Sequence, residues 1–257
     1  MFSDELISTL RSAKSVAVLT GAGISAESGV PTFRGENGLW KKYRPEELAN
    51  FNAFIKNPEL VWEWYRYRKN IIHDVESNPG HYALAELEEQ YTDFSLITQN
   101  VDNLHRRAGS KNIYELHGNI TRNRCVDCNR YFSDDELQFE DVKVPRCSCG
   151  GLVRPDVVWF GEMLPERELR IAFEASQRCD VFLSVGTSAL VHPAAALPGE
   201  AIQAGAFVVE INFEPTVISD HVNESIIGKS GEILPQLLEK LAQSLKRQLS
   251  YQSLRLF

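Results

Sequence analysis

The fold is decided by Val16-Ala17-Val18-Leu19-Thr20-Gly21-Ala22-Gly23-Ile24-Ser25-Ala26. Residues 16–20 read as a strand buried on both faces, and they run directly into a turn of the form G-x-G-x-x-A. Glycine at Gly21 and Gly23 permits the tight turn and lets the backbone approach a pyrophosphate. The N–H groups of a following helix can then bind the anion. A glycine turn between strand and helix also serves purely structural ends, but its place on the first buried strand points to a dinucleotide. The continuation departs from an ordinary dehydrogenase unit, which would run on as a helix and a second strand ending in an acid about 20 residues later. Here Ser28-Gly29-Val30-Pro31-Thr32-Phe33-Arg34-Gly35 forms a loop punctuated by glycine and proline, and Glu36 lies within it. A dinucleotide is therefore expected to be held in an unusual way.

Outward from this turn, apolar strands are expected at 94–98, 181–185 and 207–211. Helices are expected over 3–14, 81–90, 166–177, 194–204 and 234–247. Strands alternating with helices predict an α/β fold: a doubly wound parallel sheet covered on both faces. Two segments break the alternation. Residues 38–77 are dense in aromatics with helical periodicity, and 121–154 carry four of the five cysteines. Both read as insertions building a smaller second lobe, a helical module and a cysteine module, with 1–37, 78–120 and 155–257 forming the large domain.

The 257 residues are 43% apolar and 24% charged, enough for an ample core without staples. A net charge of −8 gives no broad attraction for nucleic acid. The longest apolar runs fall far short of the ~18 residues that span a bilayer, so no membrane partner is expected. The opening Met1-Phe2-Ser3-Asp4-Glu5 is acidic rather than basic, unlike a secretory signal. With the clustered cysteines, this predicts a reducing, cytoplasmic location. Oligomeric state is left open, and a monomer is compatible with the sequence.

Ligands of doubly wound sheets gather beyond the carboxyl ends of the strands. Three such ends are polar: Gln99-Asn100-Val101-Asp102, Gly186-Thr187-Ser188 and Asn212-Phe213-Glu214. Together with the glycine turn they predict a shared polar crevice. His117, in Glu115-Leu116-His117-Gly118-Asn119, precedes the cysteine segment at the lobe junction, where a neutral imidazole is a natural base near pH 7.

Cys125-x-x-Cys128 and Cys147-x-Cys149-Gly150-Gly151 read as a tetrathiolate zinc site, with redox chemistry as the alternative. Four sulfur ligands leave no open position, so such a zinc is structural. Cys179 reads as a buried bystander. Finally, Asn57-Pro58-Glu59 starts a helix on which Val61, Tyr65, Arg68 and Ile72 share one face. Arg68 is the odd member of an apolar stripe. It is either a structural ion pair or, with Tyr65, a bidentate receptor for a carboxylate in an apolar pocket.

Taken in order, these segments resemble the sirtuins, NAD-dependent protein lysine deacylases, over nearly the whole chain. The matching stretches are Gly21–Ser25, Gly29–Arg34, Gln99–Asp102, Leu116–Gly118, the four cysteines, Val158-Trp159-Phe160-Gly161-Glu162, Gly186–Ser188 and Asn212–Glu214. Tyr65-x-x-Arg68 is similar to the mark of the subgroup that removes succinyl and malonyl groups. The shortened Cys147-x-Cys149 departs from the common pattern. The resemblance implies a Rossmann-type large domain and a small domain, with NAD and acyl-lysine meeting in the cleft between them. Gly21, Ala22, Gly23, Phe33, Arg34, Gly186, Thr187 and Ser188 would line the cofactor site. Asn212, Glu214 and Ser230 would hold the adenosine end, and Gln99, Asn100 and Asp102 would border the nicotinamide ribose. Asn100 and Asp102 would join His117 as catalytic residues. Val158, Phe160 and Gly161 would pair with the substrate peptide as an added strand, with Tyr65 and Arg68 at the acyl group. The implied reaction releases nicotinamide as the acyl oxygen attacks the ribose, with His117 as general base toward a ribose hydroxyl; free lysine and O-acyl-ADP-ribose result. Two alternatives use the same features: mono-ADP-ribosyl transfer to protein, and a non-catalytic NAD-sensing module.

Overall fold

Val16, Ala17, Val18 and Leu19 can bury their side chains only if helices cover both faces of their strand. The computed structural model, which describes residues 2–32, 44–137 and 143–254, has that arrangement. Its first half contains helix α1 (Asp4–Ser12), strand β1 (Ser15–Thr20), α2 (Ala22–Ala26), α3 (Pro45–Leu48), α4 (Phe51–Lys56), α5 (Pro58–Asp74), α6 (Pro79–Glu88), β2 (Asp93–Thr98), α7 (Leu104–Arg107) and β3 (Ile113–Glu115). Then follow β4 (Gly118–Cys125), β5 (Tyr131–Ser133), β6 (Val153–Val157), α8 (Glu166–Arg178), β7 (Val181–Val185), α9 (Leu197–Ala204), β8 (Phe207–Asn212), β9 (Glu224–Ile227) and α10 (Ser230–Leu254).

Six parallel strands form the main sheet in the order β3-β2-β1-β7-β8-β9. The order reverses between β1 and β7, so the loops leaving these neighbours diverge and open a crevice beyond their carboxyl ends. Side chains alternate with the period of the strand. Val16 and Val18 pack against Leu6, Leu84 and Leu237 from α1, α6 and α10. Ala17 and Leu19 face Ala172, Ala175, Leu197 and Ala201 from α8 and α9. This is the doubly wound sheet expected from the alternation.

The two insertions share one core. Phe54, Val61, Trp62 and Tyr65 of α4 and α5 pack with Ile120, Val153 and Trp159. The Trp62 indole N–H donates to the Val153 carbonyl at 2.9 Å. Helix α5 starts as the sequence suggests, with the Asn57 side chain accepting from the Leu60 N–H and Pro58 in its first turn.

Several features differ from expectation. The cysteine module is organised by an antiparallel sheet, β5-β4-β6, which 121–154 does not announce. Its strand β4 is polar because Arg122 and Arg124 pair with Asp156 on β6, at 3.1 and 3.5 Å. The boundaries expected after 120 and 154 fall inside β4 and β6. The edge strands β3 and β9, three and four residues long, lie in segments without apolar alternation. Helix α10 begins four residues before its expected start because Glu27 satisfies its first turn, accepting from the Gly231 N–H at 2.9 Å. Among the described residues no helix is long and apolar enough to cross a membrane.

Candidate active site

The crevice at the switch point is a cleft of about 1260 Å³. It extends from the glycine turn across to the helical module, large enough for a ligand beyond ordinary drug size. Its floor is a knot of strand ends. The Gly21 and Gly23 N–H groups donate to the Val185 and Gly186 carbonyls at 3.0 and 2.8 Å. A Cβ on Gly21 would lie 2.7 Å from the Gly186 oxygen, and one on Gly23 2.7 Å from the Gly186 Cα. These glycines are therefore demanded first by the close approach of the β7 turn. The Ile24 N–H also turns inward, to the Gly21 carbonyl at 3.3 Å, so three N–H groups of the turn are spent inside the protein.

Amide side chains tie the other strand ends to this knot. Asn100 Nδ2 donates to the Gly21 carbonyl at 3.0 Å and to Ser25 Oγ at 3.1 Å. Gln99 Nε2 donates to Thr187 Oγ1 at 2.9 Å, and Asn212 Nδ2 to the Thr187 carbonyl at 3.0 Å. Ala22, Ser188, Glu214 and Ser230 also line the cleft. The Ser230 hydroxyl donates to Glu27 at 3.2 Å. Phe33 and Arg34 lie outside the described residues.

His117 sits between β3 and β4, where the chain leaves one lobe for the other. Gly118 makes that exit possible: its φ is +77°, and a Cβ there would meet the Asp156 carbonyl at 2.1 Å. His117 Nδ1 lies 2.9 Å from the Gln99 carbonyl. That nitrogen therefore carries the hydrogen and donates, leaving Nε2 as an acceptor in the cleft. Burial lowers the imidazole pKa against the opposing Gln99 bond, which keeps His117 neutral at pH 7.

Asp102, expected at the nicotinamide ribose, is buried behind the residues that line the cleft. Its carboxylate accepts from Ser25 Oγ at 2.7 Å and from the Leu104 N–H at 3.0 Å. That second bond, two residues on, turns the side chain inward as the backbone bends into α7. Burial raises its pKa, opposed by the Leu104 and Ser25 bonds and the charge of Arg68. Asp102 is thus coupled to the cleft through Ser25, which Asn100 holds, and through the charge of Arg68.

Tyr65 and Arg68 meet on the opposite wall, as their spacing predicted. They are 1% and 7% exposed. The guanidinium carbon of Arg68 lies 4.9 Å from the Trp64 ring centre and 5.6 Å from that of Tyr65. Burial pulls its pKa down, opposed by Tyr65 and Asp102. Val158, Phe160 and Gly161 line the adjoining rim. Pairing with an added strand is restricted there. The N–H groups of Val158, Phe160 and Glu162 already donate to the His117, Ala49 and Trp159 carbonyls, at 2.9, 3.0 and 3.0 Å. That of Trp159 donates to Glu162 at 2.8 Å. An added strand would have to pair with backbone groups other than these N–H groups.

The four expected thiols converge. All their sulfurs lie within 4.8 Å of one another, with Cys125–Cys149 at 3.5 Å and Cys128–Cys147 and Cys128–Cys149 at 3.6 Å. A tetrahedron with Zn–S bonds of about 2.3 Å has edges of about 3.8 Å, so the donor set fits a zinc ion. The Asp127 N–H lies 3.4 Å from Cys125 Sγ, and a Cβ on Gly151 would lie 2.7 Å from the same sulfur. Gly151, two residues after Cys149, thereby leaves room for the Cys125 sulfur in the site.

Residues 21–193 match the model of the Sir2 family. The chain belongs to that family. It is 52% identical over 238 residues to "NAD-dependent protein deacylase 2" of Pyrobaculum aerophilum, covering 92% of this chain and 95% of the relative. An "NAD-dependent protein deacylase" of Mycobacterium tuberculosis is 48% identical over 236 residues, covering 90% and 99%. A solved Sir2 homolog–NAD complex superimposes with a TM-score of 0.89 at 46% identity, covering 95% of this chain and 96% of that one. A Sir2–p53 peptide–NAD+ complex gives 0.85 at 33% identity, covering 93% and 98%.

Within this Sir2 chain the sequence missed buried residues that support the strand ends and the helical wall around the cleft. His81 Nε2 lies 3.3 Å from Ser25 Oγ, and His105 Nε2 lies 3.0 Å from Thr20 Oγ1. Burial drives His81 down to about 4 and His105 well below its ordinary value. For His81 the local signal is its third position after the Asn78 cap, whose N–H it accepts at 3.3 Å. His105 carries no such signal. The indole N–H of Trp159 donates to the Tyr65 hydroxyl at 2.7 Å, a contact across 94 residues of sequence.

Proposed function

We propose that this Sir2 protein removes succinyl and malonyl groups, and also acetyl groups, from lysine side chains of proteins. NAD is the co-substrate; nicotinamide, free lysine and O-acyl-ADP-ribose are the products. NAD-dependent protein deacylation is the activity for which its relatives are named, and the choice of acyl group rests on this chain's own residues. The observation that carries the proposal is Arg68. A guanidinium in the wall of a largely apolar cleft, with a phenol one turn away, suits a carboxylate that arrives without its water. A neutral acyl group gains nothing from that charge.

The cleft fits NAD at the floor. Gly21, Ala22, Gly23 and Ser188 would follow the pyrophosphate, and Asn212, Glu214 and Ser230 the adenosine end. Gln99 and Asn100 would lie at the nicotinamide ribose, while Gly186 and Thr187 fix the turn beneath. When bound, NAD supplies an electrophilic ribosyl carbon and a ribose hydroxyl that serves as nucleophile. His117 accepts a proton at Nε2, and its Nδ1–H···O bond to Gln99 holds the required tautomer. Asn100 is fixed by Gly21 and Ser25, so its amide is preorganised rather than free to rotate. The cysteine site would hold zinc structurally, since none of its four thiols lines the cleft.

The test is a peptide panel carrying acetyl, malonyl or succinyl lysine, compared by kcat/KM with NAD saturating. Succinyl and malonyl peptides should lead. An acetyl peptide turned over faster than both, or lysine released without NAD, would overturn the proposal.

A further inference from the structure

Resting on the acyl preference just proposed, we infer that Arg154, Glu162 and Trp159 form a positioning relay that aims the Tyr65 hydroxyl hydrogen at the acidic end of the acyl group. The relay starts in an ion pair buried in the small lobe. The Arg154 side chain is 2% exposed. Its Nη1 and Nη2 both donate to the Glu162 carboxylate, the second at 3.0 Å, and Nη2 also donates to the Val157 carbonyl at 2.6 Å. The same carboxylate accepts the backbone N–H of Trp159 at 2.8 Å. The Arg154 guanidinium carbon lies 3.3 Å from the centre of the Trp159 ring, and Phe54 packs 5.2 Å from that ring on its tilted side. The indole thus has its backbone anchored and its ring held by a cation and an aromatic.

The held ring directs one bond. Trp159 Nε1 can only donate, and it donates to the Tyr65 oxygen at 2.7 Å. Arg68 lies beside the Tyr65 ring, its guanidinium carbon 5.6 Å from the ring centre. A hydroxyl has two lone pairs and one hydrogen. Trp159 Nε1 occupies a lone pair and accepts nothing, so the Tyr65 hydrogen must point away from it to another acceptor, and Tyr65 lines the cleft. A carboxylate beside Arg68 would then meet one phenolic donor together with the guanidinium. An acetyl methyl group at that place accepts nothing. Arg154 touches neither acyl group nor cofactor in this scheme; it positions Trp159, and Trp159 positions Tyr65.

The decisive experiment replaces Trp159 by phenylalanine, which keeps an aromatic ring and deletes the N–H. Succinyl-lysine and acetyl-lysine versions of one peptide are titrated calorimetrically onto the zinc-loaded full chain without NAD, and kcat/KM is measured with NAD. The readout is the succinyl-to-acetyl ratio. Losing one oriented hydrogen bond to a charged group should lower that ratio about tenfold in both measurements. In a double-mutant cycle, adding W159F to Tyr65→Phe should lower the ratio no further, because the relay acts only through that hydroxyl. Glu162→Gln, which weakens the grip on Arg154 and Trp159, should lower the ratio in the same direction and serves if W159F fails to fold. An unchanged ratio in W159F, or additive losses in the cycle, would overturn the relay. Arg68→Met is run beside them. A lowered ratio there with none in W159F removes the relay and leaves the acyl preference standing; an unchanged ratio in R68M removes the preference and the relay with it.

Discussion

Arg68→Met isolates the charge on which the proposed acyl preference rests. Methionine keeps an unbranched apolar stem between Trp64 and Tyr65 and deletes only the guanidinium. In the wild-type cleft that guanidinium is 7% exposed. A succinyl carboxylate bound beside it has therefore shed most of its water. Leaving a buried anion without its cation costs about 3–5 kcal/mol, and each tenfold in rate corresponds to about 1.4 kcal/mol. kcat/KM for the succinyl peptide should fall by at least about a hundredfold. The acetyl peptide never meets the charge, and the apolar exchange should alter its kcat/KM by no more than about threefold. Tm should fall but folding should survive, because Asp102 loses the charge of Arg68 while a cation that burial disfavours is also removed. Asp102 keeps its bonds from Ser25 and Leu104. The assay follows lysine product by chromatography for the two peptides in parallel, with Tm as the control. Parallel losses on both peptides would refute the reasoning, because Arg68 would then be structural.

Three further outcomes follow from the same geometry. His117→Ala should abolish turnover while NAD binding, measured by calorimetry, persists; in the wild type, the lowered imidazole pKa should place the acid limb of kcat/KM below pH 6.5. Stability should also fall with acid. Between pH 6.5 and 4 the unfolded chain takes up protons that buried His81, held at about 4, refuses, so stability declines as pH is lowered through that window by about 3 kcal/mol from His81 alone. His105 adds in the same direction. Urea unfolding across the window checks this, with His81→Asn flattening the slope. Removing zinc with a chelator should release one ion per chain by elemental analysis. The small lobe should lose protection in hydrogen exchange while the two cores flanking the main sheet retain theirs, since those cores contain none of the four cysteines.

Much of the large domain was legible because its signals are local. Buried parallel strands are unbroken apolar runs, and helix starts are marked by caps such as Asn57 and Asn78, so β1, β2, β7 and β8 and their covering helices could be read from periodicity. The cysteine ligands were legible for a related reason: four soft donors in 25 residues have few uses. Tyr65 and Arg68 were visible because three residues along a helix lie on one face. The short strands β3 and β9 and the β5-β4-β6 sheet were hidden, since their stability comes from partners distant in sequence, including the Asp156 pairs that make Arg122 and Arg124 tolerable in a strand.

The sequence alone determined the alternation, a polar crevice at the strand ends, the thiol set and the presence of a cation on an apolar helix face. Each depends on residue types and short motifs that can be recognised without knowing what they face. Tertiary structure decided what those residues face. Gly21 and Gly23 answer to the backbone of Gly186, 165 and 163 positions away. Asp102 turns from the cleft toward Ser25, and the Tyr65 hydroxyl takes its direction from Trp159. Hydrogen-bond direction and burial are properties of the assembled environment, and a spacing pattern contains neither.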